Sequence, residues 1–290
     1  MFSGCATALI TPFTKDGKVD EKGLRALVDF QEGEGVDAIV PCGTTGESAT
    51  LTHEEHIKVI EIVVDQADKA KVIAGAGSNA THEAIKLSKK AQDLGAAGIL
   101  SISPYYNKPT QKGIFEHYEA IARSIDVPLI VYNVPGRTSS NIEVPTVLKL
   151  AKVPNIVGIK EASGNITQIM NLLAQAPRGF TVLSGDDAFT FPMMAMGARG
   201  VISVASNVVP MMVKDMTDKL LANKVEEARK LHFRLLPLFK NLFIETNPIP
   251  VKTAVRLMGK PAGPFRLPLC DMDPANLEVL KRTLTDLGVI

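Results

Sequence analysis

The chain has 290 residues, which is long enough to bury a large core and fits two ordinary domains or one α/β barrel with an appendage. Lysine and arginine total 32 against 31 acidic residues, so a net charge of +1 gives no basic excess for binding nucleic acid or anionic membranes. With 46% apolar and 22% charged residues, the composition is that of an ordinary globular protein rather than a disordered chain.

Three cysteines, Cys5, Cys42 and Cys270, lie far apart and form no CxxC pair, so the sequence indicates neither a zinc site nor a disulfide framework. Residues 1–10 lack the basic start and long apolar run of a signal peptide. We therefore expect free thiols in a cytoplasmic protein. The apolar stretch Phe191–Val213 is interrupted by glycines and prolines, which predicts a buried helix followed by a buried strand rather than a membrane span.

Eight short runs rich in small and β-branched residues recur along the first three quarters of the chain. Most of them are apolar nearly throughout, which is typical of parallel strands covered on both faces. The predicted strands are Cys5–Ile10, Ala38–Cys42, Val72–Ala76, Gly98–Ile102, Leu129–Asn133, Ile156–Lys160, Thr181–Ser184 and Val201–Val204.

Helical patterns with recognisable N-terminal signals lie between these strands. Their start signals are Asp20 before Glu21–Phe30, the capping box of Thr52 and Glu55, Thr81 before a run through Ala91, Pro145, and Asn165 with Gln168. The repeated strand–helix alternation predicts a (β/α)8 TIM barrel, with an open doubly wound sheet as the alternative.

The pattern changes after residue 222, where helical runs continue but strand runs stop. These runs are Val225–Phe239, Ile249–Met258 and Pro274–Leu287, the last of them preceded by the N-cap residue Asp273. We therefore predict a catalytic barrel over residues 1–222 and a C-terminal helical domain over residues 223–290.

In a barrel of this kind the functional site lies at the carboxyl ends of the strands. Lys160 is the last residue of the sixth predicted strand. One interpretation is a lysine that reaches solvent or pairs with Glu161. The other is an amine surrounded by apolar side chains, which is a nucleophile towards carbonyls because burial disfavours its charged form. The barrel context favours the nucleophile. Tyr132 ends the fifth strand and can act as an acid or base, and Arg137 follows on a turn where it can bind a carboxylate or form a surface ion pair.

The second strand is followed by Gly43–Gly46, a Gly-Thr-Thr-Gly loop before a helix. Its backbone N–H groups and hydroxyls suit a small anion such as a carboxylate, and it lacks the lysine of a P-loop. The adjacent Tyr105 and Tyr106, after the fourth strand, indicate packing or an interface.

Two further patterns are weak. Residues 75–80 match a dinucleotide fingerprint with alanine in the last place, but they follow the third strand instead of opening the chain. His53 and His56 lie three apart on one predicted helix without a third metal ligand, so no metal site is predicted.

Taken together, the motifs are specific. The chain resembles the dihydrodipicolinate synthase (4-hydroxy-tetrahydrodipicolinate synthase) family, which belongs to the pyruvate-dependent class I aldolases. The resemblance runs along nearly the whole chain and is carried by residues 43–48, 104–107, 132–138, 158–162, 183–187, 200–203 and 247–252. It is weakest at about residues 211–240 and 261–290, which carry no diagnostic motif.

The resemblance implies a TIM barrel with a C-terminal helical domain, assembled as a homotetramer, a dimer of dimers. It implies condensation of pyruvate with L-aspartate 4-semialdehyde, the entry step of lysine and diaminopimelate synthesis. It also implies that no metal or organic cofactor is needed, because a Schiff base on Lys160 supplies the electron sink.

The resemblance assigns catalytic roles residue by residue. Lys160 would attack the pyruvate ketone, and loss of a methyl proton would give an enamine that attacks the aldehyde. Tyr132 would shuttle protons and would be linked through the Thr44 hydroxyl to Tyr106, which in this family reaches in from the neighbouring subunit.

The resemblance also assigns substrate-binding roles. Thr45 would hold the pyruvate carboxylate, and Arg137 would bind the carboxylate of the semialdehyde. Gly185 and Ile202 would offer backbone groups to the reacting centre.

Many bacterial and plant members of the family carry a feedback site for L-lysine. The matching positions follow the lysine-sensitive pattern, so inhibition by L-lysine is expected. These positions are Ser48, Ala49, His53, His56, Asn79, Glu83 and Tyr105.

Alternatives remain at this stage. Another aldolase on the same barrel, such as N-acetylneuraminate lyase or a keto-deoxy-sugar-acid aldolase, would share Lys160 and the strand-end tyrosine. Thr44, where the lyases usually carry serine, and Arg137 after its Val-Pro-Gly turn oppose that interpretation. A non-catalytic barrel that binds a keto acid or dinucleotide is an alternative of a different class, and a nucleotide-binding oxidoreductase would have to bind NAD(P).

Overall fold

The protein is described by a computed structural model that covers residues 2–290. Eight parallel strands close into a barrel in sequential order, so the predicted TIM barrel is confirmed and the open sheet is wrong. The strands are β1 Gly4–Ala8, β2 Ala38–Val40, β3 Lys71–Gly75, β4 Gly98–Ile102, β5 Leu129–Asn133, β6 Ile156–Glu161, β7 Thr181–Ser184 and β8 Gly200–Ser203. Three predicted strands have the observed bounds, and the other five differ by one or two residues at one or both ends.

Helices surround the barrel and begin largely where the sequence indicated. They are α1 Glu21–Gly33, α2 His53–Gln66, α3 Thr81–Asp93, α4 Gln111–Ala122, α5 Pro135–Thr138, α6 Val144–Leu150, α7 Ile166–Gln175, α8 Asp187–Ala195, α9 Pro210–Leu221, α10 Val225–Asn241, α11 Ile249–Leu257 and α12 Pro274–Asp286. The Asp20 and Asn165 side chains accept from main-chain N–H groups of α1 and α7, and Thr52 with Glu55 forms the capping box of α2.

The core has two layers, which explains why the strands are apolar throughout. A small cluster fills the barrel interior, and a larger one lies between the strands and the helices. The buried residues of the interior cluster are Ala6, Ala8, Ala38, Val40, Ile73, Leu100, Ile130, Tyr132, Val134, Leu183 and Ile202. Because side chains alternate between these layers, each strand buries both faces.

The Phe191–Val213 stretch contains the end of α8 and the whole of β8, as predicted for a buried helix followed by a buried strand. Nowhere in residues 2–290 is a helix both long and apolar enough to span a membrane. After β8 the chain is helical: α10 packs against α8, α9 and α12, and α11 packs against α12. The domain boundary at residue 222 stays a prediction.

The barrel closes between β1 and β8. Asn207 links these two strands at their carboxyl ends. Its side-chain Nδ2 donates to the carbonyl oxygens of Ala8 (2.8 Å) and Val204 (3.0 Å). Its Oδ1 accepts from the N–H of Ile10 at 3.1 Å. All of these groups are buried, so a main-chain group that lost this partner would have no water to replace it.

We expect Asn207→Ala to lower the free energy of unfolding by roughly 2–4 kcal/mol, because it leaves buried backbone groups unpaired. Chemical denaturation followed by circular dichroism measures the change. The matched control is Asn171→Ala on the exposed face of α7, which should change stability by less than about 0.5 kcal/mol. Equal effects of the two substitutions would contradict the role of Asn207 in closing the barrel.

Candidate active site

A cavity of about 110 Å³ opens at the carboxyl ends of the strands, where the chemistry of a barrel is expected. Six of the eight residues predicted for catalysis and substrate binding line it: Thr44, Thr45, Tyr132, Arg137, Lys160 and Gly185. The fold therefore brings together side chains from the ends of β2, β5, β6 and β7. Tyr106 and Ile202 are not among the lining residues.

Lys160 is the buried amine of this cavity. It stands opposite Tyr132 in the pairing of β5 with β6, and its Nζ lies 4.3 Å from the centre of the Tyr132 ring. The residue is only 5% exposed, and burial lowers the pKa of Lys160 to about 8. The charge of Asp187 opposes that shift and the charge of Arg137 adds to it. At pH 7 roughly a tenth of the amine is therefore neutral and nucleophilic, far more than for a lysine with the ordinary pKa of about 10.4.

Asp187, the first residue of α8, is the charged group that most raises the pKa of Lys160. It is buried and accepts three hydrogen bonds, from the Ser203 hydroxyl (2.5 Å) and from the N–H groups of Val204 (3.0 Å) and Ala205 (2.9 Å). Burial raises the pKa of Asp187 to about 6, against the effect of these hydrogen bonds. Sequence reasoning gave Asp187 no role, although an acidic pair directly after a predicted strand was a usable signal.

Tyr132 presents a phenol that stays protonated. Burial raises the pKa of Tyr132 to about 12, and the charge of Arg137 and the hydroxyl of Thr44 work in the opposite direction. A protonated phenol beside the Lys160 amine can donate a proton to a reacting oxygen and take one back. The Thr44 hydroxyl therefore lies close to the Tyr132 phenol, and the onward link to Tyr106 stays a prediction.

Two further side chains that line the cavity, Thr45 and Arg137, are of types suited to binding a carboxylate, and both contact Asn247. The Asn247 side-chain amide donates to Thr45 Oγ1 at 3.0 Å, which leaves the Thr45 hydroxyl proton free to be donated to a ligand. An Arg137 guanidinium nitrogen donates to the Asn247 carbonyl oxygen at 3.2 Å. Among residues 2–290, the buried Asn247 Oδ1 has no hydrogen-bond partner. Sequence reasoning noted the motif around Asn247 but gave the residue no role.

Gly185 and Ile202 occupy places that limit the roles predicted for them. The Gly185 N–H already donates to the Glu161 carbonyl oxygen at 2.8 Å, so only its carbonyl group remains for a ligand. A Cβ at Gly185 would lie 2.7 Å from the Ala162 Cβ and 2.9 Å from Lys160 Cε, so glycine leaves room for the neighbouring strand end and for the lysine side chain. Ile202 is fully buried in the barrel interior.

Tyr106 lies outside the set of residues that line this chain's cavity. It is 89% exposed, and it has a left-handed φ of 70° in the loop after β4. The cavity that holds Lys160 is lined without Tyr106. Its predicted role thus depends on a second subunit and stays a prediction.

A second, larger cavity of about 460 Å³ adjoins the first. Six of the seven residues predicted to bind L-lysine line it: Ser48, Ala49, His53, His56, Glu83 and Tyr105. The seventh, Asn79, lies alongside and donates from Nδ2 to the Tyr105 carbonyl oxygen at 3.2 Å. Thr44, Arg137 and Asn247 line both cavities.

The weak patterns in the sequence have structural explanations. A Cβ at Gly75 would lie 2.4 Å from the Cys42 carbonyl oxygen, and one at Gly77 would lie 2.4 Å from the Ile102 nitrogen. These glycines therefore allow neighbouring backbone segments to approach closely. His56 Nε2 lies 2.6 Å from the Gly75 carbonyl oxygen, and burial lowers the pKa of His56, which favours a neutral ring.

Comparison with known proteins decides the family. The family model described as "Dihydrodipicolinate synthetase family" matches residues 1–287. The chain belongs to this family. A relative from Geobacter sulfurreducens, named 4-hydroxy-tetrahydrodipicolinate synthase, is 53% identical over the full length of both chains. One from Syntrophotalea carbinolica with the same name is 51% identical, covering 100% of this chain and 99% of the relative.

Solved structures of the dihydrodipicolinate synthetase family agree with this assignment. The enzyme from Aquifex aeolicus superimposes with a TM-score of 0.97 at 50% identity, covering 99% of both chains. A dihydrodipicolinate synthase structure from Cyanidioschyzon merolae with lysine bound superimposes with a TM-score of 0.97. It is 43% identical and covers 100% of this chain and 99% of the other. The predicted barrel, family and enzyme class are therefore confirmed.

The Asp187 charge has a testable consequence for Lys160. A nearby carboxylate favours the ammonium form, so we expect Asp187→Asn to lower the pKa of Lys160 below its value of about 8. The difference should appear above about pH 6, where the Asp187 carboxylate is ionised. Competitive acetylation with acetic anhydride over a pH series, read on the Lys160 peptide by mass spectrometry, measures it.

The control for this prediction is Asp215→Asn, which removes a carboxylate paired with Lys219 on the surface. That substitution should leave the acetylation profile of Lys160 unchanged. An unchanged or raised pKa in the Asp187→Asn protein would show that Asp187 does not control the charge of Lys160.

Proposed function

We propose that the protein condenses pyruvate with L-aspartate 4-semialdehyde to 4-hydroxy-tetrahydrodipicolinate, through a Schiff base on Lys160. The observation that carries this proposal is the buried Lys160 amine, which lies against the Tyr132 ring in a cavity that Thr45 and Arg137 also line. Full-length relatives at about 50% identity that are named for this reaction support it over the sugar-acid aldolases and a non-catalytic barrel.

The chemistry follows from the charges in the cavity. The neutral Lys160 amine adds to the ketone carbon of pyruvate, and loss of water leaves a protonated imine. Removal of a methyl proton then moves an electron pair onto the imine nitrogen and gives an enamine. The enamine carbon bonds to the aldehyde carbon of the second substrate, whose oxygen takes a proton. The amino group of the second substrate then adds to the imine carbon and displaces the Lys160 amine, which closes the ring of the product and frees the enzyme. Because the imine accepts the electrons, no further cofactor is required.

Each side chain has a proposed part in these steps. Tyr132 exchanges protons with the reacting oxygens, because its phenol is protonated and lies beside the amine. Thr45 donates its free hydroxyl proton to the pyruvate carboxylate, and Arg137 binds the carboxylate of the semialdehyde. The carbonyl of Gly185 and the backbone of Ile202 are proposed to face the reacting centre.

A homotetramer, a dimer of dimers, is proposed as the working form. The support is Tyr106, whose exposed phenol lies outside this chain's cavity and can enter that of a neighbouring subunit. There it would meet Thr44 and complete a proton path to Tyr132. Residues 1–222 would form the catalytic barrel of each subunit and residues 223–290 its helical domain. A cytoplasmic location fits the three free cysteines.

L-Lysine is proposed to inhibit the enzyme by binding in the second cavity. Glu83 supplies a carboxylate for a ligand ammonium group, and Ser48, His53 and His56 supply further polar groups. The volume of about 460 Å³ accommodates an amino acid, and the relative from Cyanidioschyzon merolae has lysine bound. Three residues shared with the catalytic cavity connect the two sites.

Trapping of the Schiff base tests the catalytic proposal. Incubation with pyruvate and sodium borohydride should add one reduced pyruvate to the Lys160 peptide, identified by mass spectrometry. Lys160→Ala should abolish the adduct, while the exposed control Lys152→Ala should retain it. Absence of an adduct on the folded wild-type protein would eliminate the mechanism and favour a non-catalytic keto-acid-binding barrel.

The inhibitor site is tested separately with Glu83→Gln. Loss of a charged hydrogen bond to the lysine ammonium group should raise the concentration of L-lysine for half inhibition about tenfold. The rate of condensation is measured against L-lysine concentration. Glu61→Gln, which removes an exposed carboxylate on α2, is the control and should leave the inhibition curve unchanged. A wild-type rate that millimolar L-lysine does not change would refute this part of the proposal.

A further inference from the structure

A completely buried ion pair joins the loop after β2 to α11. Lys252 Nζ lies 2.5 Å from Glu47 Oε1, and neither side chain has any solvent exposure. Lys252 does not line the catalytic cavity or the second cavity, and Glu47 lines only the second. The mechanism proposed above uses neither residue. The pair therefore needs a physical reason other than direct contact with a substrate.

The surroundings of the pair are apolar on the lysine side. Lys252 Nζ lies 4.1 Å from the centre of the Phe13 ring and 5.4 Å from that of Phe265. The second Glu47 oxygen lies 3.5 Å from the N–H nitrogen of Arg266. Burial lowers the pKa of Lys252 to about 8, and the charge of Glu47 opposes this shift. Burying two charges is costly, and apolar residues of similar shape are often as stable, so stability alone does not explain the pair.

The carboxylate partner stands at a special point of the backbone. Glu47 has a left-handed φ of 55°, a conformation that residues with a side chain seldom adopt. Its N–H donates to the Thr44 carbonyl oxygen at 3.1 Å, and its own carbonyl oxygen accepts from the N–H of Thr50 at 2.9 Å. Glu47 thus connects the catalytic threonines to the short helical turn Ser48–Thr50, which lines the second cavity.

The lysine partner lies on α11, and the residue that contacts both proposed carboxylate-binding side chains lies just before this helix. Asn247, two residues before α11, donates to Thr45 Oγ1 and accepts from Arg137. Lys252 lies on α11 itself and holds Glu47. The segment at the start of α11 therefore contacts the loop over residues 43–50 on both sides of Gly46: Asn247 binds Thr45, and Lys252 binds Glu47.

We propose that Glu47 and Lys252 are positioning residues that fix this loop, so that Thr44 and Thr45 face Lys160 while Ser48 and Ala49 face the second cavity. The inference rests on the proposed function for its readouts, because it assigns the pair to pyruvate binding and to L-lysine inhibition together. It predicts that neutralising the pair changes both properties without altering the Lys160 amine.

The first test is Glu47→Gln, which keeps the shape of the side chain and removes its charge. We expect the KM for pyruvate to rise about tenfold, because the hydroxyl of Thr45 loses its fixed orientation. The half-inhibitory concentration of L-lysine should also rise. The acetylation profile of Lys160 should stay as in the wild type, which distinguishes a displaced loop from a damaged amine.

A double variant separates positioning from stability. Lys252→Met leaves the buried Glu47 carboxylate without a partner and should lower the melting temperature strongly. Adding Glu47→Gln removes that charge and should recover much of the melting temperature. If the pair positions the loop, the double variant still has a raised KM for pyruvate; if the pair is only structural, the KM recovers with stability. If the Lys252→Met protein does not fold, Glu47→Asp replaces it in this test. This substitution keeps the charge but shortens the side chain, so a raised KM for pyruvate in a stably folded Glu47→Asp protein supports positioning, and a wild-type KM contradicts it.

The matched control is Val251→Ala, which removes buried apolar volume from the same helix and leaves the ion pair intact. Assayed below its melting temperature, it should keep the wild-type KM for pyruvate and the wild-type L-lysine inhibition. Equal KM values for pyruvate in the Glu47→Gln and Val251→Ala proteins would overturn the inference. The proposed function would not be affected as long as the wild-type protein catalyses the condensation. An absence of borohydride trapping in the wild type would instead overturn the proposed function.

Discussion

The burial of one amine is the constraint on which the rest of the site depends. Lys160 can be nucleophilic near neutral pH only because apolar barrel walls exclude water from it, and the same burial would take its pKa lower without the Asp187 charge. The register of β5 against β6 places the Tyr132 ring against the amine. The closed barrel turns a local property of two strands into a fixed arrangement, because neither strand can shift without displacing its other neighbour.

The cavity residues proposed to bind carboxylates depend on a segment far away in sequence. Thr45 and Arg137 follow β2 and β5, but both are held by Asn247, which precedes α11. The C-terminal helices are therefore more than a cover for the barrel, since one of them begins at the groups proposed to bind carboxylates. The Glu47–Lys252 pair extends the same dependence to the loop over residues 43–50, whose residues line both cavities.

Much of the fold was predictable because its signals are local. Strands buried on both faces are apolar throughout, and helices such as α2 begin at capping residues that are readable in the sequence. Lys160 and Tyr132 were predictable because each polar group ends an apolar strand. The acidic pair after a predicted strand was a usable signal for Asp187, but the hydrogen bond that its carboxylate accepts from Ala205 was not readable in the sequence. Nor was the hydrogen bond from Asn247 to Thr45, because only the folded chain brings these groups within reach. Glu47 and Lys252 were missed for the same reason: they lie 205 positions apart in the chain.

The two cavities share a wall formed by Thr44, Arg137 and Asn247. A ligand in either cavity that changes the preferred arrangement of this wall changes the affinity of the other cavity. Thermodynamic linkage makes such an effect reciprocal: whatever factor an inhibitor imposes on keto-acid binding, the keto acid imposes on the inhibitor. The concentration of inhibitor needed for half inhibition would then depend on the fraction of enzyme molecules whose catalytic cavity already holds the keto acid.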